Sequence, residues 1–152
     1  MATVVEGAKA PAFDLPTDNA GDLALAGLSG KAVVLYFYPK DDTPGCTNEA
    51  KDFSALKAEF DKAGAVVIGV SKDTVAKHAR FRAKYDLTVP LGSDPEAKVI
   101  EAYESWVEKT LYGRQYMGID RSTFLIDGQG VIRRIWRKVK VAGHAAEVLA
   151  AV

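Results

Sequence analysis

The chain contains one cysteine, Cys46, among its 152 residues. A single thiol excludes an intramolecular disulfide, so no disulfide framework holds this protein together, and a reducing compartment, by default the cytoplasm, is expected. Histidine is nearly as scarce. His78 and His144 stand far apart in the chain, and without a second cysteine no structural zinc site is spelled out. Excess charge of either sign is missing, because 20 Lys and Arg balance 20 Asp and Glu. General nucleic-acid and membrane-surface binders carry a basic excess, so neither class is expected. No apolar run approaches the roughly 20 residues that span a bilayer. Met1 to Gly7 lacks the basic region and apolar stretch of a secretory signal. Internal repeats, low-complexity tracts and linkers are absent too, which predicts one domain over 1–152. A chain of this length buries roughly two-thirds of its unfolded surface and needs no covalent or metal staple.

What is present alternates strand and helix signals. Residues 1–20, with Gly7, Pro11 and Pro16, read as an extended arm with turns. Ala32–Tyr38 is a near-continuous apolar run, the pattern of a strand covered on both faces. Pro39 and Pro44 bracket a loop, and apolar residues at helical spacing predict an amphipathic helix from about Asn48 to Ala63, stopped by Gly64. Glu49 counts among the charged residues between those apolar positions. Further strands are predicted at 65–70, at Val89–Leu91 and at 122–127, the last turning through Gly128–Gly130 into a partner over 131–139. Helices are predicted at 74–85, from Asp94-Pro95 to about Tyr103, and at 144–151, with a loop or hairpin over 104–118. The sum is an α/β fold, a mixed sheet flanked by helices.

Cys46 falls just past the first buried strand, where a helix begins. The positive end of a helix and its unpaired amides favour an anion, and the thiolate is the nucleophilic form of cysteine. An inert buried cysteine is the competing reading. Thr43, three residues earlier, can bring its hydroxyl to the same turn as the sulfur. Arg121 immediately precedes the strand over 122–126, where a cation costs desolvation unless it meets an anion, and a thiolate is one candidate. Other features read as ordinary structure. Asp41-Asp42 look like turn formers and solvated charge, His78 like an exposed helix residue, and Arg133 to Lys140 like a solvated basic edge. Gly27 to Lys31 has the wrong spacing for a phosphate loop, and Trp106, Trp136 and Tyr36 to Tyr38 read as core or groove lining.

Taken together, Tyr36-Phe37-Tyr38-Pro39-Lys40-Asp41-Asp42-Thr43-Pro44-Gly45-Cys46-Thr47 resembles the active-site segment of peroxiredoxins, in particular the bacterioferritin-comigratory (PrxQ) subfamily. Tyr116 to Asp127 and Gly7 to Leu15 resemble it as well, in order, so the likeness covers nearly the whole chain. The resemblance implies a thioredoxin-like fold and a peroxidase that reduces hydrogen peroxide and organic hydroperoxides without a cofactor or metal. It implies that Cys46 is the peroxidatic cysteine and that the Thr43 hydroxyl contacts thiolate and peroxide. Pro39 would shield the pocket, and Arg121 would hold the thiolate and polarise the peroxide. A monomer is implied as well. Many subfamily members carry a resolving cysteine five residues after the first, here Lys51, and others carry it on the next helix, around residues 80–84; this chain has none at either place. A one-cysteine mechanism follows, with an external thiol reductant such as glutathione, glutaredoxin or thioredoxin. Two rival classes stand beside it. A disulfide oxidoreductase would need a cysteine at position 43, which is threonine. A peroxide sensor that relays oxidation to a partner would share the Cys46 chemistry but would not turn over with a generic thiol.

Overall fold

The computed structural model describes residues 3–152; Met1 and Ala2, the start of the predicted arm and of the segment compared with a secretory signal, lie outside the described residues. The arm holds strand β1 (Asp14–Pro16), which pairs antiparallel with β2 (Asp22–Ala24), and a short 3-10 turn follows at Leu25–Leu28. Next come β3 (Ala32–Phe37), α1 (Pro44–Ala55), α2 (Lys57–Lys62), β4 (Ala65–Ser71), α3 (Val75–Tyr85), β5 (Leu91–Ser93) and α4 (Lys98–Ala102). The chain ends through β6 (Trp106–Leu111), β7 (Arg114–Ile119), β8 (Ser122–Ile126), β9 (Ile132–Trp136) and α5 (His144–Ala151).

Five strands form one mixed sheet in the order β5-β4-β3-β8-β9. β3 runs parallel to β4 and antiparallel to β8, which makes it the central strand. A central strand must hide both faces, and this is why 32–38 reads as an unbroken apolar run. Alternate residues serve different layers. Val34, Tyr36 and Tyr38 pack with Cys46, Ala50 and Phe53 of α1, Phe60 of α2, Phe81 of α3 and Val148 of α5. Val33, Leu35 and Phe37 pack against Phe13 and against Ile100 and Tyr103, in and just after α4. Cys46 therefore lies where the helical layer meets the C-terminal end of the central strand. The predicted mixed sheet flanked by helices is the observed architecture.

Several boundaries differ from the sequence reading; the strand expected over 131–139, for example, is only Ile132–Trp136. The first helix begins at Pro44 rather than Asn48, since proline at the first helical position gives up an amide that has no intrahelical partner anyway. It is also interrupted at Leu56, and the rings of Phe53 and Phe60 on either side of the break lie with centroids 5.9 Å apart. The strand expected at Val89–Leu91 starts only at Leu91, because Pro90 has no N–H for the ladder. The helix expected from Asp94-Pro95 is only Lys98–Ala102; Asp94 instead uses its carboxylate to accept from the Ile100 amide, at 2.8 Å, across a turn in which Ala97 is left-handed.

Candidate active site

Cys46 is the third residue of α1, within its first turn, and is 1% exposed. The first helical hydrogen bond runs from the Thr47 amide to the Thr43 carbonyl at 2.8 Å, so the Gly45 and Cys46 amides have no partner within the helix. A threonine at the N-cap usually accepts from one of these amides. Thr43 does not: its side chain makes no capping bond, and its hydroxyl donates to the Lys40 carbonyl at 2.9 Å. Two donors and the positive end of α1 are thereby left free around the sulfur.

Arg121 closes the site from the turn between β7 and β8. Its Nη2 donates to Cys46 Sγ at 3.4 Å and its Nη1 to Glu49 Oε1 at 2.7 Å. A Cβ on Gly45 would stand 3.1 Å from Nη2, so glycine is what lets the guanidinium come this close to the helix. Burial opposes the charge on Arg121, but Glu49 and Cys46 outweigh it and the guanidinium is held above its ordinary value. The sequence-predicted cation thus meets the sequence-predicted sulfur. Thr43 stands at the adjoining helix cap, while Pro39 is exposed where the chain leaves β3 and makes no hydrogen bond in this cluster.

Glu49 is the participant that sequence reading missed. By periodicity it belongs with the charged residues of an amphipathic helix, yet it is 1% exposed. The available signal was its spacing, three residues after Cys46 and so on the same helix face. Burial pushes its carboxyl from 4.5 up to about 7, Arg121 pulling it down without cancelling the effect. The folded protein therefore holds a proton here that the unfolded chain has already lost between pH 4.5 and 7. Stability falls as pH rises through that window, by on the order of 3 kcal/mol from this group alone. Glu49→Gln stays neutral. It is expected to match the unsubstituted protein in urea denaturation at pH 5 and to exceed it at pH 8. An equal decline in both proteins between those two pH values would sink this account of Glu49.

The histidines do other work. His78 is fully buried, not exposed as its charged helix suggested; its Nδ1 lies 2.7 Å from Asp41 Oδ2 and its Nε2 3.0 Å from the Gly92 carbonyl. Asp41 is accordingly buried and not a solvated turn former, whereas Asp42 is exposed and pairs with Lys84 and Tyr85. A charged helix face hides such a residue because the segment facing it lies 37 positions away in sequence. His144 bonds Thr123 Oγ1 at 2.8 Å, and burial holds it below its ordinary value. Neither imidazole hydrogen-bonds Cys46, so no cysteine–histidine dyad forms. The basic run from Arg133 is largely exposed, as expected, and no helix among the described residues is long and apolar enough to cross a membrane.

Comparison with known proteins bears on this geometry. A family model described as AhpC/TSA family matches residues 6–135. The chain is 54% identical to a putative peroxiredoxin bcp of Coxiella burnetii, over 94% of this chain and 95% of that one. The structure of a PrxQ cysteine-to-serine mutant from Xylella fastidiosa superposes with a TM-score of 0.93 at 39% identity, covering 99% of this chain and 96% of the other. That of the bacterioferritin comigratory protein of Xanthomonas campestris, described for its alkyl peroxide reduction activity, superposes with a TM-score of 0.87 at 48% identity, covering 91% and 88%. The Xanthomonas protein has been solved as cysteine-to-serine mutants at two different positions, whereas the present chain has one cysteine.

Proposed function

The chain belongs to the AhpC/TSA family, in its Bcp/PrxQ peroxiredoxin branch with a thioredoxin-like fold, and from that membership we propose a one-cysteine peroxidase cycle run by Cys46, Thr43 and Arg121. The protein is a thiol-dependent peroxidase. Its substrates in this reading are hydrogen peroxide and organic hydroperoxides. One contact carries the assignment of residues: Arg121 Nη2 at 3.4 Å from Cys46 Sγ, beside two uncapped helix amides.

The Cys46 thiolate attacks one peroxide oxygen. The S–O bond forms as the O–O bond breaks, and the electron pair leaves on the distal oxygen. The proton carried by the attacked oxygen ends on the leaving one, giving water or an alcohol and a Cys46 sulfenic group. Preorganised donors suit the charge that develops on the departing oxygen. Arg121 and the Gly45 and Cys46 amides supply them. The single hydrogen of the Thr43 hydroxyl is committed to the Lys40 carbonyl, so toward the substrate Thr43 acts as an acceptor for the peroxide O–H. Pro39, exposed beside the loop, screens the mouth of the site from water.

No second cysteine can take up the sulfenic acid. An external thiol condenses with it, releasing water and leaving a mixed disulfide, and a second thiol frees Cys46. Glutathione, glutaredoxin and thioredoxin all offer that chemistry; with the sulfur 1% exposed, the small tripeptide meets the fewest steric demands. A monomeric protein in the reducing cytoplasm fits this need for an abundant external thiol. Treating the purified protein and Cys46→Ser with hydrogen peroxide and a sulfenic-acid trap, followed by intact mass, tests the reading. Fast stoichiometric trapping in the unsubstituted protein alone is expected. Trapping no faster than oxidation of a free small thiol would overturn it. Sustained turnover with a generic thiol separates an enzyme from a sensor.

A further inference from the structure

The loop that carries Pro39 to Thr43 is held from one side by residues the reaction does not use. The Asp41 amide donates to Asp73 Oδ2 at 2.8 Å, and Asp73 Oδ2 also accepts from the Ser71 hydroxyl at 2.6 Å. Lys77 pairs with the other carboxylate oxygen at 3.2 Å. The Asp41 side chain is anchored separately, by Tyr38 and His78. Asp42, with a left-handed backbone at φ 61°, is tied to Lys84 and Tyr85. All of these anchors except Tyr38 come from the end of β4, from the loop after it and from α3.

One of them bears directly on Thr43. The Asp41 N–H and the Lys40 C=O belong to the same peptide unit. No peptide bond among the described residues is cis, so these two groups point in opposite directions across a rigid plane. Asp73 pulls on the N–H, and the opposite edge presents the carbonyl that accepts the Thr43 hydroxyl. We propose that Asp73 is a positioning residue of the peroxidase: by gripping the Lys40–Asp41 peptide it fixes the Thr43 hydroxyl as an acceptor facing the peroxide, and so governs the rate of peroxide attack. The proposal rests on the peroxidase reading above. Without the grip the peptide can rotate, the Thr43 hydrogen is released, and the hydroxyl is free to cap an amide of Gly45 or Cys46, which removes a donor from the oxygen's path.

The buried carboxylate suits this task because it is itself held. Its three partners and its neighbours leave it little freedom; the Asp73 carbonyl accepts from the Ser93 hydroxyl at 2.6 Å, which locks the backbone beneath it. Thr74, the next residue, caps α3 by accepting from the Lys77 amide, so Asp73 is not needed for helix capping.

The test compares two reactions of the same sulfur: oxidation by hydrogen peroxide, which needs Thr43, and alkylation by iodoacetamide, which does not. Asp73→Ala is expected to slow oxidation by about 10- to 100-fold, a typical consequence of misplacing a reacting group's partner, with alkylation changed by less than about twofold. Asp73→Asn keeps an oxygen to accept from the Asp41 amide and is expected to recover to within about threefold of the unsubstituted rate. In a Thr43→Val background, Asp73→Ala is expected to cost nothing further, because coupled residues are non-additive. If Asp73→Ala does not fold, Ser71→Ala loosens the same carboxylate and is expected to slow oxidation by about threefold with the same dependence on Thr43. Oxidation and alkylation slowed by the same factor, or an undiminished effect of Asp73→Ala or Ser71→Ala in Thr43→Val, would overturn the proposal while leaving the peroxidase reading standing. An unsubstituted protein that reacts with peroxide no faster than a free thiol would overturn that reading itself.

Discussion

Arg121→Met is expected to slow the reaction of Cys46 with peroxide by about 10²–10³-fold, the usual cost of removing one preorganised donor from a site of developing charge. Methionine keeps much of the apolar stem of arginine but none of its donors. The sulfur loses the 3.4 Å contact with Nη2, and the departing oxygen loses a cation placed at the site. A second consequence concerns Glu49, whose carboxylate would stay buried without its guanidinium. A buried charge stripped of its partner costs about 3–5 kcal/mol unless it takes a proton, and Glu49, already pushed up to about 7, takes one readily. The two effects separate in Arg121→Met/Glu49→Gln. That double variant is expected to regain stability lost at pH 8 while its peroxide rate stays low. Stopped-flow oxidation beside urea denaturation decides. A double variant that recovers the rate would mean Arg121 serves only to neutralise Glu49, and its role in peroxide attack would fall.

The sulfur, the cation and most of the strands and helices behind them were legible because each rests on local pattern. Ala32–Tyr38 reads as a strand covered on both faces, and β3 fills all of that run but Tyr38. The terminal helix lies at 144–151 as its spacing indicated, and the predicted loop or hairpin over 104–118 is the β6–β7 pair. What escaped reading depends on partners distant in sequence. Asp41, Asp73 and His78 look like loop and surface residues in one dimension, and only the pairing of β3 with β4 and the crossover through α3 bring them together. Glu49 looks solvent-facing because the apolar stripe of α1 is incomplete at that position; its burial is explained by Arg121, 72 residues away. Charged residues are seldom fully buried without a partner, and the partner is what local periodicity cannot supply.

Without added thiol the protein is expected to consume one equivalent of peroxide in a fast phase and not to turn over. The only electrons available are those of Cys46, and once it is a sulfenic acid no second sulfur in the chain can regenerate it. The same isolation has a cost under excess peroxide: the unprotected sulfenic acid waits for a second oxidant, and sulfinic acid is an irreversible step for most proteins. Activity should therefore decline over cycles when peroxide outruns reductant, in step with a mass gain of two oxygen atoms on the peptide containing Cys46. Lys51, exposed on α1 and five residues on, is the informative place to add a thiol. In an intact helix residues five apart have Cα atoms roughly 8–9 Å from each other, beyond the roughly 7 Å limit for a disulfide. Lys51→Cys can thus protect Cys46 only if the first turns of α1 unwind. In the native fold those turns are held by Arg121 at Cys46 and Glu49 and by the packing of Phe53 against Tyr36, with ring centroids 4.6 Å apart. Continued overoxidation in Lys51→Cys, with no internal disulfide by non-reducing mass analysis, is the expected result. A fast bridge from Cys46 to the introduced thiol would show instead that α1 opens within the catalytic cycle, and that these contacts do not hold its first turns closed.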